Sequence, residues 1–275
     1  MSTLWLAPAL VLYVLAVFLF VSDMVQRQTR LNGYALIALG AGAISHTMDL
    51  ITRGVQAGNM PVGNFAQSLS FLAWIIALAS LVMIVRFKMP AIGAFTTPAV
   101  VMALGAAYVM MPNEAHRLPS TLRSAWLPIH VTLAFFGEAL LMLAASVSLV
   151  YLVHDSRLKA KRSLGMIGGK LPSLEKLDRI NYRLLGWGFV LLSLAMVTGA
   201  IWAANAWGRF WSWEPIECWT LLTWLLYAGL LESRLAAGWR GRRAATLTIA
   251  LFTILVGSYL GVSLVYPGKH GGSFG

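Results

Sequence analysis

Apolar runs of roughly twenty residues recur along the chain, separated by short polar stretches, and each is long enough to cross the hydrocarbon core of a bilayer. Eight can be set out: 4–22, 34–52, 68–86, 90–111, 126–153, 182–204, 218–237 and 245–265. Backbone groups in lipid must be satisfied within the segment, so these runs are expected to be helices. The pattern predicts an all-α polytopic membrane protein of about eight transmembrane helices. It reads as a single integral-membrane domain over 1–275, with no room for a large soluble domain.

The loops fix an orientation. Sixteen Lys and Arg fall in 23–33, 86–89, 154–181 with Arg183, and 233–244. The other side holds five: Arg53, Arg117, Arg123, Arg209 and Lys269. The positive-inside rule puts the first set in the cytoplasm and both termini outside. The first positive charges, Arg27 and Arg30, follow the first apolar run, so that run reads as a retained span and not a cleaved signal. Loop 154–181 reads as a flexible basic stretch with a short amphipathic lead-in to the sixth span. Its GMIGGK does not meet the phosphate-loop pattern, and no strand precedes it. The outer loop 53–67 has Gly, Asn and Pro at turn positions, and 112–125 holds Pro112, His116 and Pro119. The outer loops are too short to grip a protein substrate alone.

Composition agrees with a membrane protein: 59% of residues are hydrophobic, 11% are charged, and mean hydropathy is +0.73. The net charge of +11 is a matter of topology, so nucleic-acid binding is not expected. The single cysteine, Cys218, cannot form an internal disulfide. No CxxCH is present, so the chain carries no covalent c-type haem of its own. Fifteen Arg against six Lys, with much Ala and Gly, suits a GC-rich bacterial genome and a bacterial cytoplasmic (inner) membrane.

One segment does not read as a plain span. Trp202 to Trp224, WAANAWGRFWSWEPIECWTLLTW, holds six tryptophans among Arg209, Glu214, Pro215 and Glu217. An interfacial aromatic belt is the bland alternative, and it accounts for one or two tryptophans more readily than for this clustering. A group of indoles offers an apolar π surface with N–H donors at its edges. That suits a flat, apolar, anionic macrocycle such as haem, whose propionates Arg209 could meet. Trp207 and Trp211, four apart, are expected on one face of a short helix, with Glu214-Pro215 ending or redirecting it.

Imidazole is the usual axial ligand of haem iron. His130 sits at the outer start of the fifth span and His270 in the outer tail, both on the side of the tryptophan segment. They form a candidate bis-histidine pair, though each alone also reads as an interfacial or solvated histidine. His46 lies inside the second span with Asp49 on the same face, which suits either a packed His–Asp pair or a ligand. Glu138, about 12 Å deeper than His130 along a helix, faces the same cavity in this reading. Glu232 and Arg234 read as a surface salt bridge, and His116 and His154 as loop residues.

The tryptophan segment resembles the "WWD" haem-handling motif of the CcsA (ResC) family, the membrane subunit of system II cytochrome c synthesis. ITRGVQAGNMPVGNFAQSLSFLAW, LPIHVTLAFFGEALLMLAASVSL, LDRINYRLLGWGF and SYLGVSLVYPGKHGGSFG are similar to the family in the family's order. The related CcmC and CcmF proteins share the motif but not the loop-by-loop pattern. The resemblance implies an external haem platform of Trp207, Trp211 and Trp213, with Trp202, Arg209 and Glu214 beside it. It implies His130 and His270 as axial ligands of haem b, and a partner resembling CcsB (ResB). The complex would be a haem lyase, attaching haem to the CxxCH of apocytochrome c. Two departures stand out: Glu214 replaces the motif's Asp, and Glu232 replaces a histidine of the family's seventh span. The second leaves open a reading as a non-catalytic HemX-like regulator or haem chaperone. An electron-transfer cytochrome b would want paired histidines inside the membrane.

Overall fold

The computed structural model describes residues 4–26, 29–111, 124–160 and 172–265. Among these the chain is all-helical, with eight helices where the apolar runs lie. They are α1 (Leu6–Gln26), α2 (Thr29–Ala57), α3 (Phe65–Phe87), α4 (Ala91–Met110), α5 (Trp126–Lys159), α6 (Leu174–Trp207), α7 (Pro215–Leu235) and α8 (Gly241–Val265). Six, α1 to α6, are long and apolar enough to cross a membrane. The stretch of α7 is cut into by Glu217 at its start and by Glu232 and Arg234 at its end. The lead-in expected before the sixth span is present: α6 begins at Leu174, eight residues before the apolar run.

The helices fall into two compact units. In the first, α1 packs along α2 and α4, and α3 lies against α2 and α4. Small residues let the backbones approach. A Cβ on Gly42 would come within 2.8 Å of the Tyr13 ring, and one on Gly93 within 2.8 Å of Phe20. Asn64 starts α3 by accepting the Gln67 N–H at 2.8 Å.

The second unit holds α5 up to Leu152, with α6, α7 and α8. α5 and α6 approach at two glycines, where a Cβ on Gly137 would lie 3.2 Å from the Gly188 carbonyl oxygen. One end is tied by a buried polar network. The Arg234 guanidinium donates to the Asp178 carboxylate at 2.8 Å and to the Asn181 side-chain amide oxygen at 3.1 Å. Asn181 donates to Ser148 at 2.8 Å and to the Ala144 carbonyl at 3.0 Å. Asp178 also accepts the Gly241 N–H at 2.9 Å. The expected Glu232–Arg234 pair is therefore corrected: Arg234 turns inward to Asp178 and Glu232 stays exposed. Two residues apart on a helix, side chains point in different directions.

Candidate functional site

The site lies at the opposite end of the second unit, where α5 begins, α6 ends and α7 begins. α6 stops at Trp207 because Gly208 takes a left-handed φ of 73°, with its N–H on the Ala204 carbonyl at 2.9 Å. Residues 208–214 are not helical. The expected helical face joining Trp207 to Trp211 is thus corrected: the glycine breaks the helix between them. Pro215 does not end a helix but starts one. Glu214 is the N-cap of α7 in a capping box with Glu217, and Pro215 is first in the helix. The Glu217 carboxylate accepts the Ser212 N–H at 2.8 Å and the Glu214 N–H at 3.3 Å. Its second role is to fold the tryptophan loop over the helix start. Trp213 has φ 58°. A bulky residue in that region costs on the order of 1–3 kcal/mol and marks a place held by its surroundings.

His130 stands in the second turn of α5, half-buried. Its Nδ1 lies 2.8 Å from the Ala195 carbonyl oxygen of α6. A carbonyl only accepts, so Nδ1 carries the proton and Nε2 the lone pair. The ring is stacked with buried Trp202, the planes 8° apart and the centroids 6.3 Å apart. Trp207 meets Trp202 edge-on at 4.9 Å and 66°. Gly199 makes this possible: a Cβ there would lie 2.7 Å from both Nδ1 and Cε1 of His130.

His130, Trp202, Trp211, Glu138 and Glu217 line one cavity of about 210 Å³, whose remaining lining is apolar apart from Thr220. A smaller cavity of about 70 Å³ reaches α8 at Leu255 and Ser258 and shares Glu138, Met196 and Thr220 with the first. Among the described residues, the buried Nε1–H of Trp211 has no hydrogen-bond partner. Beside the cavity mouth Trp213 and Phe210 are exposed by 71% and 65%. Drug-sized ligands occupy pockets of about 300–1,000 Å³, so this cavity encloses less than such a ligand needs, with the exposed rings of Phe210 and Trp213 beside it.

Of the residues singled out in sequence, the structure brings together His130, Trp202, Trp207, Trp211, Trp213, Glu214 and Glu138. Arg209 is exposed in the same loop. His270 and His116 lie outside the described residues. His154 belongs to α5, not to a loop, and is buried. His46 is in the first unit and has both nitrogens engaged, Nε2 with Ser70 at 2.9 Å and Nδ1 with Tyr13 at 3.4 Å. The expected His46–Asp49 pair is absent among the described residues; Asp49 accepts from Arg53 at 2.7 Å, one turn further on. Neither ring nitrogen of His46 is left for a metal. Sequence reading missed Gly199, the Ala195 carbonyl, Phe210 and the folding role of Glu217. Only Phe210, inside the tryptophan segment, had a legible signal.

The family model described as "Cytochrome C assembly protein" matches residues 62–270. The CcsA cytochrome c biogenesis protein of Prochlorococcus marinus strain MIT 9303 is 34% identical over 251 residues, 82% of this chain and 79% of its own. That of Synechococcus sp. strain CC9605 is 33% identical over 261 residues, 86% of each. Among solved structures, the cytochrome c haem lyase CcmF shares the fold, with a TM-score of 0.63 over 99% of this chain at 16% identity. The chain spans about half the length of that structure. With a cytochrome c assembly match over most of its length and CcsA relatives across more than four-fifths of it, the chain belongs to the cytochrome c assembly protein family.

Proposed function

We propose that this multi-pass membrane protein is the haem-binding and haem-presenting subunit of a cytochrome c synthase. The observation that carries the reading is the His130 setting. An imidazole whose proton is fixed on Nδ1 by a backbone carbonyl directs its Nε2 lone pair elsewhere, as histidine ligands of metals do. The residues present fit an iron porphyrin: an upright imidazole, a glycine cradle behind it, an unpartnered indole N–H and exposed aromatic faces. Trp207, steeply inclined to Trp202 and so to His130, is the indole that would cover the ring system.

When bound, haem b supplies the vinyl groups to which the cysteine thiols of an apocytochrome add. The chain's own residues hold and shield. His130 and His270 would hold the iron; Trp207, Trp211 and Trp213 would cover a face; Arg209 would meet a propionate. Cys218 takes no part in the addition. A CcsB (ResB)-like partner supplies the docking surface for apocytochrome c. The protein works as one membrane domain over 1–275 in the bacterial cytoplasmic membrane, with its termini and the tryptophan segment on the outer side.

The test is the absorption spectrum of the protein purified with its partner, for wild type, His130→Ala and His270→Ala. A low-spin haem spectrum lost in either variant, together with loss of c-type cytochromes, supports the proposal. Haem retained by both variants, with altered tetrapyrrole levels, would overturn it in favour of a HemX-like regulator.

A further inference from the structure

Among the described residues, Glu138 is the ionisable side chain of the cavity with no hydrogen-bond or ion-pair partner. It lines both cavities, beneath His130 on α5. Among the described residues no hydrogen bond or ion pair reaches its carboxyl. Its polar neighbours are committed elsewhere. Thr220 donates to the Ile216 carbonyl at 2.7 Å and Thr223 to the Trp219 carbonyl at 2.7 Å. Ser258 donates to the Leu255 carbonyl and Trp224 to Ser193, each at 2.8 Å. The titratable groups around it are three. His130 is held by the Ala195 carbonyl, Glu217 accepts from the loop backbone, and Tyr227 on α7 is within electrostatic range. Among the described residues, α6 and α8 present no charged side chain to the cavities.

An unpaired carboxyl in an apolar membrane cavity is costly and points to a function. Resting on the haem-binding reading, we propose that Glu138 is the counter-charge of the bound iron porphyrin. With two neutral imidazoles, the iron and its ring nitrogens carry one net positive charge when ferric and none when ferrous. The carboxylate balances the ferric core. When an external one-electron donor reduces the iron, the carboxylate takes up one proton, so one electron and one proton enter together. Eight residues separate Glu138 from His130, about 12 Å along the helix. Across that distance two charges stay coupled in a medium of low dielectric.

The experiment is a spectroelectrochemical titration of the haem-loaded complex between pH 6 and 9, for wild type, Glu138→Gln and Glu138→Asp. The wild-type midpoint potential is expected to fall with pH, with a limiting slope of about 59 mV per tenfold change in proton concentration, the one-electron equivalent. Glu138→Gln is expected to raise the potential and flatten the slope, and Glu138→Asp to restore it. Glu138→Asp also serves as the readable variant if Gln does not fold, its slope then shifting along the pH axis. Haem bound with a pH slope untouched by these substitutions overturns this inference alone. A wild-type complex that retains no haem overturns the functional reading, and this inference with it.

Discussion

Gly199→Ala isolates the His130 setting better than removal of the histidine does. The new methyl carbon would sit 2.7 Å from Nδ1 and Cε1 of the ring, well inside contact distance, on a rigid helix. The imidazole must swing away, and the 2.8 Å bond from Nδ1 to the Ala195 carbonyl goes with it. A hydrogen bond of this kind contributes about 1 kcal/mol net, and a buried acceptor left unsatisfied costs about 1–3 kcal/mol. The displaced ring also loses its stack on Trp202. Together these put the loss for any ligand bound to Nε2 at about 2 kcal/mol, or roughly 30-fold in affinity. Alanine in place of helical glycine acts in the opposite direction, stabilising by up to about 1 kcal/mol. On the haem-binding proposal, the expected result is therefore a protein destabilised by no more than about 1–2 kcal/mol that loses most of its haem. The control is Gly186→Ala in the same helix, where a Cβ meets nothing within 4 Å. The assay is haem-to-protein ratio and the Soret spectrum of the purified complex, beside thermal unfolding without haem. Wild-type haem content in Gly199→Ala would falsify the view that His130, in this orientation, is the ligand.

Two further outcomes follow from the same unit. Asp178→Ala leaves the Arg234 guanidinium buried without its carboxylate, and breaking such a pair costs about 3–5 kcal/mol. A large fall in detergent melting temperature is expected, largely recovered by Asp178→Leu with Arg234→Met; a single variant as stable as wild type would refute the clamp. Trp213→Gly relieves the left-handed strain of about 1–3 kcal/mol but loses the edge contact with Trp211, worth about 0.5–1.5 kcal/mol. Stability is expected to stay within about 1 kcal/mol of wild type while haem retention falls, and a melting temperature lowered as by loss of a core tryptophan would show that Trp213 is merely structural.

The helices were legible because a 20-residue apolar run in a bilayer has one structural outcome. The gathering of His130 with the tryptophans was legible too, through topology: loop charge placed residue 130 and the Trp202–Trp224 segment at one end of the spans. Local detail was not. The spacing of Trp207 and Trp211 suggested a helix, but Gly208 between them decides the backbone. His46 and Asp49 share a face, yet Arg53, one turn further, wins Asp49 because a charged partner in a buried setting outweighs a neutral imidazole. Arg234 is drawn to Asp178, far away in sequence, for the same reason. Gly199 and the Ala195 carbonyl carry no sequence signal at all: one is an absent side chain, the other a backbone atom.

The partner of His130 bears on what kind of ligand it can be. A resident metal site commonly backs its histidine with a carboxylate, which raises ligand basicity and tightens the bond. Here the backing group is a neutral carbonyl, which fixes the tautomer and raises the basicity of Nε2 less than a carboxylate would. Behind it stands Gly199, so the ring is positioned by the absence of a side chain and not by a charge. The cavity encloses too little volume for a whole macrocycle, and Trp213 and Phe210 stay open beside it. Each of these lowers the cost of release. A histidine that oriented iron while binding it modestly could be displaced by the histidine of an incoming CxxCH. One backed by a carboxylate inside a closed pocket could not be displaced as readily. On the proposed haem-presenting reading, the geometry that would make the site weak as a permanent haem pocket would suit it to handing haem on.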